Sequence, residues 1–211
     1  LERSALQQMI VEFMGVERVA IEAHRHPKEF GELIKVILTK QEELARVVAD
    51  APVDLFWIPD NLDGVVCGPR LFEKYALPSY NLFADILHSQ GKIVLSHMDG
   101  RLRVLRDVIK KANIDVVEAF TPPPGGDLSV SEARKAWKKK IWINFPGSVC
   151  VENPKGIKEY VLGILKEIAP GDGVLFGVTE TIPPEIYEYT FRTITETLWR
   201  YGKYPIHNED L

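Results

Sequence analysis

His97 and Asp99 stand two residues apart at the end of a short apolar run, 93–95, bounded by Gly91 and Gly100. In an extended segment residues i and i+2 point to the same side, so an imidazole and a carboxylate face one point. Three chemistries suit such a pair. The two can grip one divalent ion, the carboxylate can orient a neutral imidazole, or they can act as an acid–base couple without metal. The same order of apolar run and then polar side chains recurs along the chain. The run 55–58 leads to Asp60 and Asn61, 116–117 to Glu118, 141–143 to Asn144 and Phe145, and 173–177 to Thr179 and Glu180. Asp, Asn and Thr are also ordinary caps for a following helix, but their recurrence at every strand end points to one shared rim. Glu118 or Glu180 would add a third ligand to the His97 and Asp99 pair. A nitrogen-and-oxygen set without thiolate suits zinc, manganese or ferrous iron at an open site. The candidate catalytic residues are therefore His97, Asp99, Glu118 and Glu180, with Asp60, Asn61, Asn144, Phe145 and Thr179 expected to bind a small-molecule substrate. His97, Asp99 and Glu180 form the candidate metal set, with zinc as the expected ion.

The elements that must position these groups follow from periodicity. Leu6, Met9, Ile10 and Phe13 have helical spacing, and the apolar residues from Phe30 to Val48 recur at three and four over about twenty residues. Residues 19–21 read equally well as strand or helix. Pro69 is placed to start a helix that continues past an interior Pro78 to a C-cap glycine, Gly91. Leu102 to Ala112 predicts another helix. Ser129 with Glu132 has capping-box spacing, and Asn153-Pro154 starts a further helix. About five strands, each followed by a helix, mean parallel pairing and an α/β fold. The absence of GxGxxG after the first strand and of GxxxxGK[ST] anywhere removes the main support for a nucleotide-binding sheet. The reading is a single domain over 1–211, a (β/α)8 TIM-barrel type that needs about 250 residues, with about five β/α units present and the N-terminal strands missing.

Composition narrows the function classes. With 26 Lys and Arg against 30 Asp and Glu the net charge is −4, so no global basic field attracts nucleic acid. No apolar run approaches the ~18 residues of a membrane span. A cytoplasmic address is expected. Cys67 and Cys150 belong to no CxxC and are expected as reduced, partly buried thiols, while His24 and His26 lead to Pro27 as a surface loop. Residue 1 is Leu, inside an amphipathic pattern. The expectation is a piece of a longer enzyme, bearing site residues yet inactive alone, with an open apolar side covered by a second copy.

From about Trp57 onwards the chain resembles the uroporphyrinogen decarboxylase superfamily, which includes cobalamin-linked methyltransferases. The resemblance is carried by Gly68-Pro69-Arg70-Leu71-Phe72 with Leu77-Pro78, by His97-Met98-Asp99-Gly100, and by Ile114-Asp115 before Glu118. Asn144-Phe145-Pro146-Gly147-Ser148, Gly177-Val178-Thr179-Glu180-Thr181-Ile182-Pro183 and Tyr201-Gly202-Lys203 complete it. It implies a (β/α)8 barrel and, as activity, metal-assisted methyl transfer linked to a corrinoid or thiol acceptor, with a corrinoid protein as partner. The alternatives are cofactor-free decarboxylation of tetrapyrrole carboxylates, as in porphyrin biosynthesis, and a non-catalytic binding barrel. The family's methyltransferases hold zinc through His-x-Cys and a later Cys. Here Asp99 and the Thr179-Glu180 pair stand at those places, and the loop 177–184 lacks the histidine that the decarboxylases carry.

Overall fold

The computed structural model describes residues 1–211. Packing gathers them into two compact units, Leu1–Glu118 and Ala119–Leu211. In the first unit α1 (Ala5–Gln8) begins at Ser4, whose hydroxyl accepts from the Gln7 N–H, and runs into a π-helical turn, Met9–Met14. Gly15 ends that turn at φ 82°, a conformation that glycine adopts without strain. Then come α2 (Val16–Arg25) and α3 (Pro27–Ala49), so residues 19–21 are helical. His24 lies in the last turn of α2 and His26 is the N-cap of α3.

β1 (Leu55–Ile58) is followed by α4 (Pro69–Leu71), a π-helical turn over Phe72–Ala76, and α5 (Leu77–His88). Pro78 is accommodated because it falls in the first turn of α5, where a backbone donor is not needed. β2 (Ile93–His97) pairs in parallel with β1, and β3 (Val116–Phe120) pairs in parallel with β2. The helix expected from Leu102 to Ala112 is shorter, a 3-10 turn over Arg103–Leu105 and α6 (Arg106–Ile109). The Lys111 and Ala112 N–H groups turn back to the carbonyls three residues earlier, Val108 and Ile109, which tightens the chain and ends the α-helix.

A core of Phe56, Ile58, Phe72, Tyr80, Phe83, Leu87 and Val94 is buried between these strands and helices. On the opposite face of β1 and β2, Leu55, Trp57 and Ile93 are 57%, 46% and 41% exposed, whereas Leu95, between Ile93 and His97, is buried. Strands covered on both faces need not alternate, but β1 does alternate, since only one of its faces meets a helical layer.

In the second unit α7 (Val130–Ala136) carries the capping box of Ser129 and Glu132. β4 (Lys140–Asn144), the single turn α8 (Gly147–Cys150), α9 (Pro154–Ile168), β5 (Val174–Gly177) and α10 (Pro184–Tyr201) follow. β4 and β5 pair in parallel, with Asn144 opposite Gly177. The Asn153 side chain accepts from the Gly156 N–H, so α9 starts where the sequence predicts. Gly177 is a close approach: a Cβ there would lie 2.5 Å from the indole nitrogen of Trp142. No helix is long and apolar enough to cross a membrane.

Candidate active site

Strand register builds the first cluster. His97 is the last residue of β2, and its partner in β3 is Glu118, so both side chains leave the same face side by side. Glu118 Oε2 lies 2.7 Å from His97 Nδ1, and Asp99 Oδ2 lies 3.5 Å from Nε2. The side chains of His97 and Glu118 are 14% and 10% exposed and that of Asp99 is 39% exposed. Burial by itself would lower the His97 pKa, but the interactions with Asp99 and Glu118 outweigh it and lift the value from 6.5 to about 9. The ring is an imidazolium at neutral pH.

Trp57, absent from the sequence-based site, completes this cluster. Its indole N–H donates to Glu118 Oε2 at 2.8 Å, and its ring meets the His97 ring edge to face, centroids 5.7 Å apart. The signal for it was register: Trp57 pairs with Leu95 and Leu95 with Val116, one layer below the His97 and Glu118 pair.

Asp60 lies elsewhere. It is fully buried, accepting from the Ser4 N–H at 2.8 Å and from the Tyr80 hydroxyl at 2.6 Å. Burial raises its pKa, opposed by those hydrogen bonds and by Arg3. With the Ser79 hydroxyl, which accepts from the Ala5 N–H at 2.9 Å, Asp60 anchors the start of α1. Asn61 is exposed, and its carbonyl accepts from Gln7. Asp60→Ala is expected to lower stability by about 2–6 kcal/mol, because two buried donors lose their acceptor at ~1–3 kcal/mol each. Urea midpoints of wild type and variant measure it, and equal midpoints would contradict this anchoring role.

The second unit gathers Thr121, Asn144, Thr179 and Glu180. Asn144 Nδ2 donates to Thr121 Oγ1 at 3.1 Å and to Glu180 Oε1 at 2.9 Å, while its Oδ1 accepts from the Thr179 N–H at 2.7 Å. One buried amide thus holds the loop after β5 to the end of β4. Glu180 lies against Gly147, where a Cβ would be 3.2 Å from its Oε2. Phe145 is buried and stacks on Phe176 at 5.8 Å, so its ring belongs to the packing of this unit.

The donor sets bear on the expected metal. No group of three His, Cys, Asp or Glu side chains is gathered so as to hold one ion. His97 and Asp99 supply two donors, one fewer than the three protein ligands of catalytic zinc sites. Both thiols are buried and free, and burial raises their pKa, helped by Asp60 at Cys67 to about 12 and by Glu180 at Cys150 to about 11. Neither is a thiolate at neutral pH, so neither stands ready as a nucleophile.

The family model "Uroporphyrinogen decarboxylase (URO-D)" matches residues 6–201, starting well ahead of the motifs that begin near Trp57. A comparison with the curated proteins finds no match. Among solved structures, a methyltransferase from Methanosarcina mazei superposes with a TM-score of 0.69 at 12% identity, over 92% of this chain and 57% of its own length. The chain thus spans little more than half of that protein. An HpcH/HpaI aldolase from Desulfitobacterium hafniense aligns with a TM-score of 0.43 at 14% identity, over 76% of this chain and 70% of its own. The superposition on the methyltransferase agrees with the α/β fold of TIM-barrel type expected from the alternation of strands and helices.

Proposed function

The chain belongs to the uroporphyrinogen decarboxylase family, and from that premise we propose that it takes part in methyl transfer to a corrinoid or thiol acceptor with His97 as general acid. The observation that carries this reading is the clamp on His97. Nδ1 is held by Glu118 at 2.7 Å, Nε2 faces Asp99 across 3.5 Å, and the ring keeps its proton up to a pKa of about 9. The Nε2 proton is the transferable one, since its contact with the half-exposed Asp99, at 3.5 Å, is longer than the 2.7 Å contact of Nδ1 with Glu118. As the bond from the methyl carbon to its heteroatom breaks, the heteroatom keeps the electron pair and takes this proton. The methyl group passes to the acceptor nucleophile. Asp99, the most exposed of the three, is the carboxylate through which solvent restores the proton. Supplying the proton at this moment contributes about 10²–10⁴-fold.

A second reading keeps an ion at Nε2. A nitrogen and an oxygen each ~2.0–2.1 Å from one tetrahedral ion lie about 3.3 Å apart, close to the 3.5 Å found between His97 and Asp99. A carboxylate on the other ring nitrogen is the arrangement that orients a metal-bound histidine. Only two donors are present, however, and no chemical step is assigned to an ion. Zinc or manganese retained stoichiometrically by wild type and lost in His97→Ala and Asp99→Ala would favour this second reading.

The deciding experiment follows the fate of label. Protein is incubated with ¹³C-methyl alcohols, amines and ethers and a reduced corrinoid or a thiol acceptor, and the acceptor is analysed by mass spectrometry. Methylated acceptor is the expected product. Carbon dioxide from tetrapyrrole carboxylates without methyl transfer would replace this reading with decarboxylation, the same acid then protonating the carbanion. Ligand binding with neither product would make the barrel a binding module.

A further inference from the structure

We infer that Trp57 is the positioning residue of His97, acting through Glu118. The kinetic part of this inference rests on the acid reading above, whereas the geometric part stands without it. Trp57, His97 and Glu118 sit on three successive parallel strands, β1, β2 and β3. Glu118 Oε2 receives two donors at once, Trp57 Nε1 at 2.8 Å and His97 Nδ1 at 2.7 Å. A glutamate side chain turns about three torsions, and one donor leaves its carboxylate free to rotate about that contact. A second donor, reaching across from β1, fixes where Oε2 lies. The edge-to-face contact of the indole with the imidazole, 5.7 Å between centroids at 85°, holds the plane of the His97 ring as well. The direction of Nε2 is thereby set.

Burial does not explain this placement. Trp57 is 46% exposed, so much of its apolar surface stays in water, while its one polar atom is directed onto a carboxylate that is almost wholly buried. An indole held only by the hydrophobic effect would do the reverse. Phenylalanine at this position keeps the ring contact and removes the donor, which isolates the hydrogen bond.

The test is Trp57→Phe in the whole protein, read in two independent ways. Proton NMR of ¹⁵N-histidine-labelled protein is expected to show the His97 Nδ1 proton far downfield and slow to exchange in wild type, and shifted upfield with faster exchange in the variant. In the methyl-transfer assay kcat is expected to fall about 10- to 100-fold with KM within about twofold, the pattern of a misdirected rather than a missing group. The NMR arm decides the inference even if wild type shows no methyl transfer, which would count against the proposed function alone. An Nδ1 resonance unchanged in shift and exchange in Trp57→Phe would overturn it. Should that variant not fold, ¹⁵N-tryptophan labelling of Glu118→Gln serves instead. One of the four indole N–H signals, that of Trp57, is then expected to shift, and four unshifted signals would overturn the inference.

Discussion

His97→Asn is expected to lower the rate of the proposed methyl transfer by about 10²–10⁴-fold, the range that a positioned general acid supplies. Asparagine retains a donor of similar reach for Glu118, so the strand ends stay tied, but it carries no transferable proton. The loss should depend on the leaving group. Donors whose heteroatom departs as a stable neutral amine need no proton and should lose little, whereas methyl ethers, which would otherwise release an alkoxide, should lose the most. Steady-state kinetics over such a donor series measures the gradient. A uniform loss across the series, or none, would mean that His97 does not act by proton donation. Asp99→Asn separates proton return from proton donation: it should slow steady-state turnover while leaving the first turnover close to wild type.

The second large effect is on stability against pH. The His97 pKa is raised in the folded chain to about 9 from an unfolded value of 6.5. A raised histidine binds its proton more tightly in the native state, so its contribution is fully present below pH 6.5 and is lost as pH rises through about 9. A shift of this size corresponds to at most about 3–4 kcal/mol at ~1.4 kcal/mol per pK unit. Denaturant midpoints between pH 6 and pH 10 should therefore fall more steeply for wild type than for His97→Asn, whose remaining fall above pH 9 belongs to the buried thiols Cys67 and Cys150. Parallel curves would show that the carboxylates do not hold the proton on the ring. The acid reading carries the same sign into kinetics, with kcat/KM falling above pH 9 as the ring loses its proton.

How much of this was legible beforehand depends on the range of each interaction. Local signals are legible: the Ser129 and Glu132 capping box, the Asn153 cap and Pro69 at a helix start act within one turn of chain, whereas Pro27, expected at the end of a surface loop, opens α3. The strand ends were legible too, since an apolar run closing on a polar residue is a feature of a few adjacent residues. Spacing predicts a longer helix after Leu102 than forms, because apolar periodicity does not reveal the i→i−3 bonds that tighten the chain.

The sequence by itself determined the α/β alternation, the five strands and the family, and it brought His97, Asp99, Glu118 and Glu180 forward as candidates. Only the tertiary structure decided what each strand-end group does. Asp60 and His97 carry the same local signature, yet Asp60 is turned inward to hold Ser4 and Tyr80, 56 and 20 residues away, while His97 faces Glu118 across a strand pair. Trp57 could not be singled out from its neighbours, because its partner is 61 residues distant and is set by parallel register. Apolar patterning tells which face of a strand is covered and how far the strand runs. The direction of a polar side chain is decided by whichever donor or acceptor the fold brings within 3 Å, and that partner is remote in the chain.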